Sequence, residues 1–251
     1  DISVTENTAG DKAYTFTLRN NLRYSDGTPI TAWDYAFSIL LQISPELAGA
    51  GASPRHMDYL LGSENYLNGT TRWLTGVTVP ADNRIIITLD GEYLPFFYEM
   101  GLLSCNPYPI AVIAPGVTVR DDGNGVYLEG EFTAELLNQT LNDPISGYRT
   151  HPSVVSGPYT LTSFDGVTAE FARNLYFAGT AGGDMPLIET LTYTHADNAD
   201  MIEKLQSGEF DLLNKVTSAE AVAKGFSLMT EGEVGMANYP RSGLSYLSFA
   251  C

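Results

Sequence analysis

Basic residues are scarce in this sequence. Thirteen Lys and Arg stand against thirty Asp and Glu, which gives a formal net charge of −17 at pH 7. The acidic residues are spread along the chain and are not gathered in a tail. Because nucleic acids and anionic lipids both need a positively charged binding surface, this balance argues against either partner. A solvated acidic surface on a protein outside the cell is the simplest interpretation.

Cysteine and histidine are also rare. The two cysteines, Cys105 and Cys251, either pair or stay reduced, and two cysteines alone define no disulfide framework. None of the three histidines has a second His or Cys at zinc-ligand spacing. The sequence also lacks a serine-nucleophile elbow, a phosphate-binding loop and a dinucleotide fingerprint. We therefore expect no enzymatic activity, no metal site and no cofactor.

Long apolar runs are missing as well. No stretch is long and apolar enough to span a bilayer, and no signal peptide is recognisable. With 251 residues and 44% hydrophobic content, the chain can still bury a sizeable core. Because a predicted strand follows Asp1 almost at once, we expect this chain to be cut from a longer protein.

The most informative segment runs from Tyr14 to Phe37, YTFTLRNNLRYSDGTPITAWDYAF. Its first residues alternate between apolar and polar, which predicts a strand with one buried face. The Asp26-Gly27 pair predicts a turn, because glycine adopts positive φ without a Cβ clash. Thr31, three residues before Asp34, predicts a capped helix whose apolar face includes Phe37.

The remaining chain alternates between strand and helix patterns, which favours a mixed α/β architecture. A hairpin is predicted from Val77 to Leu89 with a four-residue connection, and Pro95 predicts the start of a helix that carries Phe96, Phe97 and Met100. Further predicted elements are a helix from Thr133 to Leu141, a hairpin around Asp165-Gly166, a strand over Ile188–Thr194, a helix capped by Asp197 or Asn198 and stopped by Gly208, a strand at Phe210–Leu213, a helix from Thr217 closed by Gly225, and strands at Phe226–Thr230, Val234–Tyr239 and Leu244–Phe249.

The stretch RDDGNGVYLEGE predicts a turn leading into a short strand pair. A calcium loop is the alternative interpretation, because Asp121, Asp122, Asn124 and Glu129 all carry oxygen donors. Val126 stands where the EF-hand spacing needs its third donor. We therefore prefer the turn.

Three segments, in this order, resemble the signature segments of the family 5 extracellular solute-binding proteins. The first, Phe16–Ser38, has the aromatic-x-Leu-Arg strand, the Asp-Gly-x-Pro turn and the Thr-Ala-x-Asp helix start. The second, Val155–Gly179, has the Gly-Pro-Tyr strand and the Arg-Asn-x-x-Tyr-x-Gly ending, where Phe177 follows Tyr176. The third is Lys204–Leu213, KLQSGEFDLL. The signature residues themselves are better explained by turns and helix caps than by ligand contact.

The resemblance implies a two-lobed protein that closes on a solute at a hinge. For this chain it implies an α/β (mixed α+β) fold, a periplasmic-binding-protein-like class II lobe with a mixed sheet flanked by helices and an additional hairpin-rich subdomain. We expect residues 1–150 to form the strand-turn-helix and hairpin subdomain of lobe one, and residues 151–251 its mixed α/β sheet part. We expect the second lobe to be absent.

The resemblance also implies a ligand wall in the proline-rich segment after Phe96, at Ser104, Cys105, Asn106 and Tyr108. Tyr59 is a further candidate, and core packing is the alternative role for both tyrosines. The expected ligand is a small solute, in the first place an oligopeptide.

The partner implied by the resemblance is the membrane permease of an ABC importer, with a monomeric protein outside the cell or in the periplasm, lipid-anchored in its full length. Two alternatives stay open. An extracellular carbohydrate-binding module or carbohydrate-active enzyme is suggested by the acidity and the fifteen tyrosines. A sensory domain on the same fold is the other.

Overall fold

The computed structural model describes residues 1–238, and the predicted strand Leu244–Phe249 and the end of the predicted strand Val234–Tyr239 lie outside this range. The strands are Ile2–Glu6 (β1), Lys12–Thr17 (β2), Val77–Ala81 (β3), Arg84–Leu89 (β4), Thr118–Asp121 (β5), Val126–Glu129 (β6), Tyr159–Phe164 (β7), Thr168–Arg173 (β8) and Thr190–Thr194 (β9). The helices are Ala32–Ile43 (α1), Pro45–Gly49 (α2), Ser63–Leu67 (α3), Glu99–Leu102 (α4), Ile110–Ile113 (α5), Ala134–Leu141 (α6), Met201–Ser207 (α7) and Ala219–Glu231 (α8). The predicted α/β class is confirmed.

A four-stranded sheet in the order β1-β2-β4-β3 forms the base of the main core. Its strands pair antiparallel, and Tyr14 of β2 lies opposite Ile87 of β4. Both side chains are buried, as the alternating pattern predicts. The β3–β4 connection has two residues and not the predicted four, because Ala81 still pairs with Arg84. A proline at position 80 does not end the strand.

Helix α1 packs on this sheet through the apolar face that the sequence predicts. Phe37 and Leu40 are fully buried, and each contributes roughly 2 kcal/mol by leaving water. The helix begins at the predicted cap: the backbone N–H and the hydroxyl of Thr31 both donate to Asp34 Oδ2, at 2.7 and 2.9 Å. These bonds satisfy groups that a helix start otherwise leaves without partners.

The β5–β6 pair forms the predicted strand-turn-strand. The carboxylates of its turn are occupied by protein donors: Asp121 Oδ2 accepts from Val79 N–H at 2.7 Å, and Asp122 Oδ2 accepts from Trp73 Nε1 at 2.9 Å. Residues 1–238 contain no group of three or more His, Cys, Asp or Glu arranged to hold a metal ion. These hydrogen bonds give the acidic residues a structural role in the turn.

Two further elements appear where the sequence predicts them. Helix α6 starts at Thr133, whose hydroxyl accepts from Leu136 N–H at 3.1 Å. Strands β7 and β8 pair antiparallel around the turn at Asp165, whose Oδ1 accepts from Val167 N–H and Thr168 N–H. An Asx-type bond of this kind closes a turn locally, so local sequence is enough to predict it.

The prediction that a helix begins at Pro95 is wrong. Helix α4 begins at Glu99, and Phe97 is 89% exposed. A proline favours a first helical turn but does not supply the buried face that keeps the turn in place. The aromatic residues before α4 therefore lie in an irregular, exposed segment.

Several predictions in the C-terminal part are also wrong. Phe210–Leu213 is not a strand, and the cap of α7 is Asp200 and not Asp197 or Asn198. Helix α8 starts after Ser218, whose hydroxyl accepts from Ala221 N–H, and runs through Gly225 to Gly232, so that Phe226–Thr230 is helical. A glycine inside a helix costs only about 1 kcal/mol, which the flanking helix formers offset.

The chain divides into two compact units, Asp1–Tyr193 and a second that begins at Thr194. Each has its own apolar cluster: the larger surrounds α1, and the smaller includes Met201, Ile202 and Leu228. The predicted subdomains 1–150 and 151–251 stay a prediction. Among residues 1–238, no helix has the length and apolar character needed to cross a bilayer.

Candidate functional site

The predicted ligand wall is an irregular segment between α4 and α5. Its two ends are held in the core by Leu103, 7% exposed, and Ile113, 1% exposed. Between them, Pro107 and Pro109 lack a backbone N–H, and Pro109 is extended where α5 begins at Ile110. The segment is irregular as far as Pro109, and the short helix α5 follows it.

Side chains from the preceding loop hold this segment from outside. Tyr59 donates its hydroxyl to the carbonyl of Leu102 at 3.0 Å, and Arg55 Nη1 donates to the carbonyl of Ser104 at 2.9 Å. The structure therefore brings Tyr59 to the same segment as Ser104, although 45 positions in the numbering separate them. Arg55 is a residue that the sequence reasoning missed, because its partner is a backbone carbonyl that no local pattern marks.

A buried serine holds the other side of the segment. Ser38, on α1, is fully buried, accepts from Tyr108 N–H at 2.9 Å and donates to the carbonyl of Asp34 at 2.8 Å. The hydroxyl thus both accepts and donates a hydrogen bond, as is usual for a buried polar group. The signal was present in the sequence as a polar residue on an otherwise apolar helix face.

The exposure of the predicted wall residues differs along the segment. Ser104 and Asn106 are exposed, whereas Cys105, Tyr108 and Tyr59 are half-buried and pack against the main core. Burial raises the pKa of the Cys105 thiol to about 11, against a smaller opposing effect of Arg55. Burial also raises the pKa of Tyr59. The wall therefore offers neutral hydroxyl, amide and aromatic groups at neutral pH.

This chemistry suits binding by hydrogen bonds and ring contacts. The Cys105 thiol is protonated at neutral pH, and the thiolate is the nucleophilic form. Among residues 1–238, His195 lies 3.6 Å from Asp197, and both side chains are largely exposed. A hydroxyl also lies beside a histidine ring at Thr150, whose Oγ1 is 3.0 Å from His151 Nδ1, and this exposed contact joins two neighbours in the sequence.

The first two signature segments of the sequence contact each other. Arg19 donates to the carbonyls of Ala178, Gly179 and Thr180, at 3.5, 2.8 and 3.3 Å. The hydroxyl of Ser25 accepts from Val155 N–H at 3.0 Å. These residues hold one part of the first unit to another, which agrees with their predicted structural role.

The Asp26-Gly27 turn shows why its glycine is required. Gly27 has φ of +87°, and a Cβ built there would lie 3.1 Å from Cζ of the Tyr176 ring. Tyr176 belongs to the Arg-Asn-x-x-Tyr-x-Gly ending of the second segment. The turn glycine and the tyrosine therefore form one close packing contact, which no residue with a side chain at 27 can reproduce unchanged.

Known proteins resemble this chain over most of its length. The oligopeptide-binding protein OppA of Lactococcus lactis subsp. lactis is 27% identical over 216 residues, which is 83% of this chain and 31% of that protein. The periplasmic oligopeptide-binding protein OppA of Escherichia coli K12 is 34% identical over 138 residues, which is 53% of this chain and 24% of that protein. The chain spans about a third of the length of the lactococcal relative, and less of the Escherichia coli one.

Solved structures share the fold. Lactococcal OppA, complexed with an endogenous peptide in the closed conformation, superposes with a TM-score of 0.62 at 20% identity, covering 88% of this chain and 37% of that one. The periplasmic EDTA-binding protein EppA gives a TM-score of 0.61 at 20% identity, covering 92% and 36%. The predicted periplasmic-binding-protein-like fold class is thereby confirmed.

The decisive comparison is with a family model. The model described as bacterial extracellular solute-binding proteins, family 5, middle, matches residues 3–251. It contains all three signature segments that the sequence singles out. The chain therefore belongs to the bacterial extracellular solute-binding proteins of family 5.

Proposed function

We propose that this chain captures an oligopeptide outside the cytoplasmic membrane and delivers it to the permease of an ABC importer. The observation that carries the proposal is the family match over residues 3–251. Two curated relatives that support it are named as oligopeptide-binding proteins. The proposal includes a monomeric, lipid-anchored full-length protein.

The solute-facing wall in this proposal is Ser104, Cys105, Asn106, Tyr108 and Tyr59. Exposed Ser104 and Asn106 offer a hydroxyl and an amide, which match the donors and acceptors of a peptide backbone. The half-buried tyrosines offer ring surface for apolar side chains. Ligand sites commonly combine apolar and aromatic walls with a few such polar groups.

Affinity is expected to be weak for these 251 residues alone. A solute held between two lobes loses most of its hydration only when both surfaces close on it. The chain corresponds to about a third of the length of the peptide-bound lactococcal structure. We propose that the wall is one side of the clamp, and that the remaining contacts come from residues that this chain does not contain.

The test is nuclear magnetic resonance titration of the chain with a defined mixture of oligopeptides, which detects binding in the millimolar range. Peptide addition should shift the backbone resonances of residues 104–108 and of Tyr59. An Asn106→Ala variant should reduce these shifts, and an Asn124→Ala variant, which removes an exposed amide from the β5–β6 turn, should leave them unchanged.

The same titration separates the alternatives. An unresponsive spectrum, or shifts produced by oligosaccharides and not by peptides, would contradict peptide capture. Submicromolar peptide binding measured by calorimetry would contradict the one-sided clamp while leaving peptide capture intact.

A further inference from the structure

A cavity of about 270 Å³ lies among four helices of the first unit. Leu41 of α1, Leu47 of α2, Ile113 of α5 and Leu141 of α6 each contribute an apolar side chain. Of the five residues proposed for the wall, only Tyr108 lines the cavity. It is therefore a different site from the wall.

Small side chains leave this space open. Ala50 and Ala52 line the cavity immediately after α2, where a longer aliphatic residue would fill it. The ring of Tyr148 lines it too, and the Tyr148 hydroxyl donates to the carbonyl of Val154 at 2.6 Å, so that this ring is fixed in place. The space is thus bounded by residues whose positions are set by other contacts.

One cation lines the cavity and is exposed to solvent. Arg149 Nη1 donates to Asn142 Oδ1 at 3.0 Å, and Asn142 Nδ2 donates to the carbonyl of Ala50 at 2.7 Å. Some described arginines pair with carboxylates, as Arg120 does with Glu129 at 2.9 Å, whereas others, such as Arg55 and Arg84, do not. Within residues 1–238, Arg149 forms no ion pair. In a chain of net charge −17, an arginine beside an apolar cavity without an acidic partner is available to an anion.

From the cavity and this arginine we infer a binding site for a small monocarboxylate with an apolar body, of the size of one aromatic ring and a short chain. A cavity of roughly 150 Å³ already holds benzene, and sites for drug-sized ligands begin at roughly 300 Å³. The ring packs against the apolar lining, and the Arg149 guanidinium donates two parallel N–H hydrogen bonds to the carboxylate. A polyhydroxylated ligand would lose its hydration in this cavity without replacement bonds.

This site goes beyond the proposed peptide capture and does not depend on it. Its lining residues all belong to the first unit, so the present chain contains every residue it needs. Binding here is therefore measurable even where the wall alone binds peptides weakly.

The test is isothermal calorimetry of the chain with 3-phenylpropionate, with neutral 3-phenylpropanamide and ring-free propionate as matched ligands. The acid should bind with millimolar or tighter affinity, and the amide at least roughly tenfold more weakly, because a charge-assisted hydrogen bond is lost. Propionate should show no measurable binding.

Three variants complete the test. Arg149→Gln should weaken binding of the acid by roughly tenfold and leave binding of the amide unchanged. Arg84→Gln removes an equal charge at the exposed first residue of β4 and should leave the affinity for both ligands unchanged. Ala52→Leu should abolish binding of both ring ligands by filling the cavity, with circular dichroism confirming that it folds.

The inference is overturned if the acid does not bind, if acid and amide bind equally, or if Arg149→Gln binds the acid like the unmodified chain. Should Ala52→Leu fail to fold, the acid–amide pair and Arg149→Gln still decide. Peptide shifts at residues 104–108 are recorded separately, so failure of one proposal is distinguishable from failure of the other.

Discussion

Cys105 illustrates how position decides the chemistry of a single side chain. It lies in the irregular segment beside exposed Ser104 and Asn106, yet it packs against the main core. Desolvation disfavours the thiolate and raises the pKa of the Cys105 thiol to about 11 from the ordinary 9.0. Its role is that of a small apolar residue, in agreement with the sequence interpretation.

Cys105 should therefore react slowly with iodoacetamide in the folded protein. In a Cys251→Ser background, the alkylation rate should stay low through pH 9 and rise as the pH approaches 11, the pKa of the buried thiol. Mass spectrometry of timed samples measures this rate.

The unfolded chain in urea is the control, and its thiol should titrate near its ordinary pKa. Because the folded state holds the proton more tightly, the stability from this thiol is fully present below pH 9.0 and is lost as the pH rises through about 11. Equal alkylation rates for the folded and unfolded chains at pH 8 would show that Cys105 is not desolvated.

At the scale of the element, local signals explain both the successes and the errors. Helix α1 is predictable because Thr31, Asp34 and the buried face of Phe37 agree with one another. Helix α8 is mispredicted because a glycine ends a helix only where its backbone turns left-handed. Gly225 does not have positive φ, whereas Gly232 has φ of +81°. Sequence shows that a glycine is present, and only the structure shows which backbone angle it adopts.

The candidate site divides in the same way. Its location in a proline-rich crossing follows from local composition and the family resemblance. Its supports do not, because Arg55 reaches Ser104 and Ser38 reaches Tyr108 across 49 and 70 positions. No local periodicity encodes which distant backbone group a side chain will meet, so such pairs escape sequence reasoning.

Alanine substitutions at the two glycines test the extent of α8. Gly225→Ala should stabilise the protein by about 0.5–1 kcal/mol, because it lies inside a helix and its added Cβ meets no atom within 4 Å. Gly232→Ala should destabilise it by roughly 1–2 kcal/mol, because position 232 is left-handed. Urea unfolding monitored by far-ultraviolet circular dichroism measures both.

The pair provides its own control, since the substitution is the same at both positions. If the helix stopped at Gly225, as the sequence pattern indicates, Gly225→Ala would destabilise the protein.

At the scale of the whole molecule, buried apolar residues form two separate clusters. The larger cluster draws its members from the first unit and the smaller from the second, and they share no residue. The prediction that the chain is not an enzyme is confirmed by its membership of a family of solute-binding proteins.

Truncation after Tyr193 should leave the first unit folded. Both tryptophans, Trp33 and Trp73, lie in that unit, so their fluorescence reports it alone. The truncated chain should unfold cooperatively in urea with the same fluorescence midpoint as the full chain.

The full chain is the control. Its helix α8, Ala219–Glu231, adds a circular dichroism signal but no tryptophan, so the fluorescence midpoints of the two chains can be compared directly. A truncated chain that shows no cooperative fluorescence transition would mean that the first unit depends on the second for its fold.

The packing of Gly27 against the Tyr176 ring has an evolutionary consequence. Glycine at 27 leaves room for the ring, and it also accommodates the left-handed backbone of the turn. Across homologous sequences the dependence should run one way: an aromatic at 176 should be accompanied by glycine at 27, whereas lineages that lose the aromatic should still keep glycine at 27 for the turn.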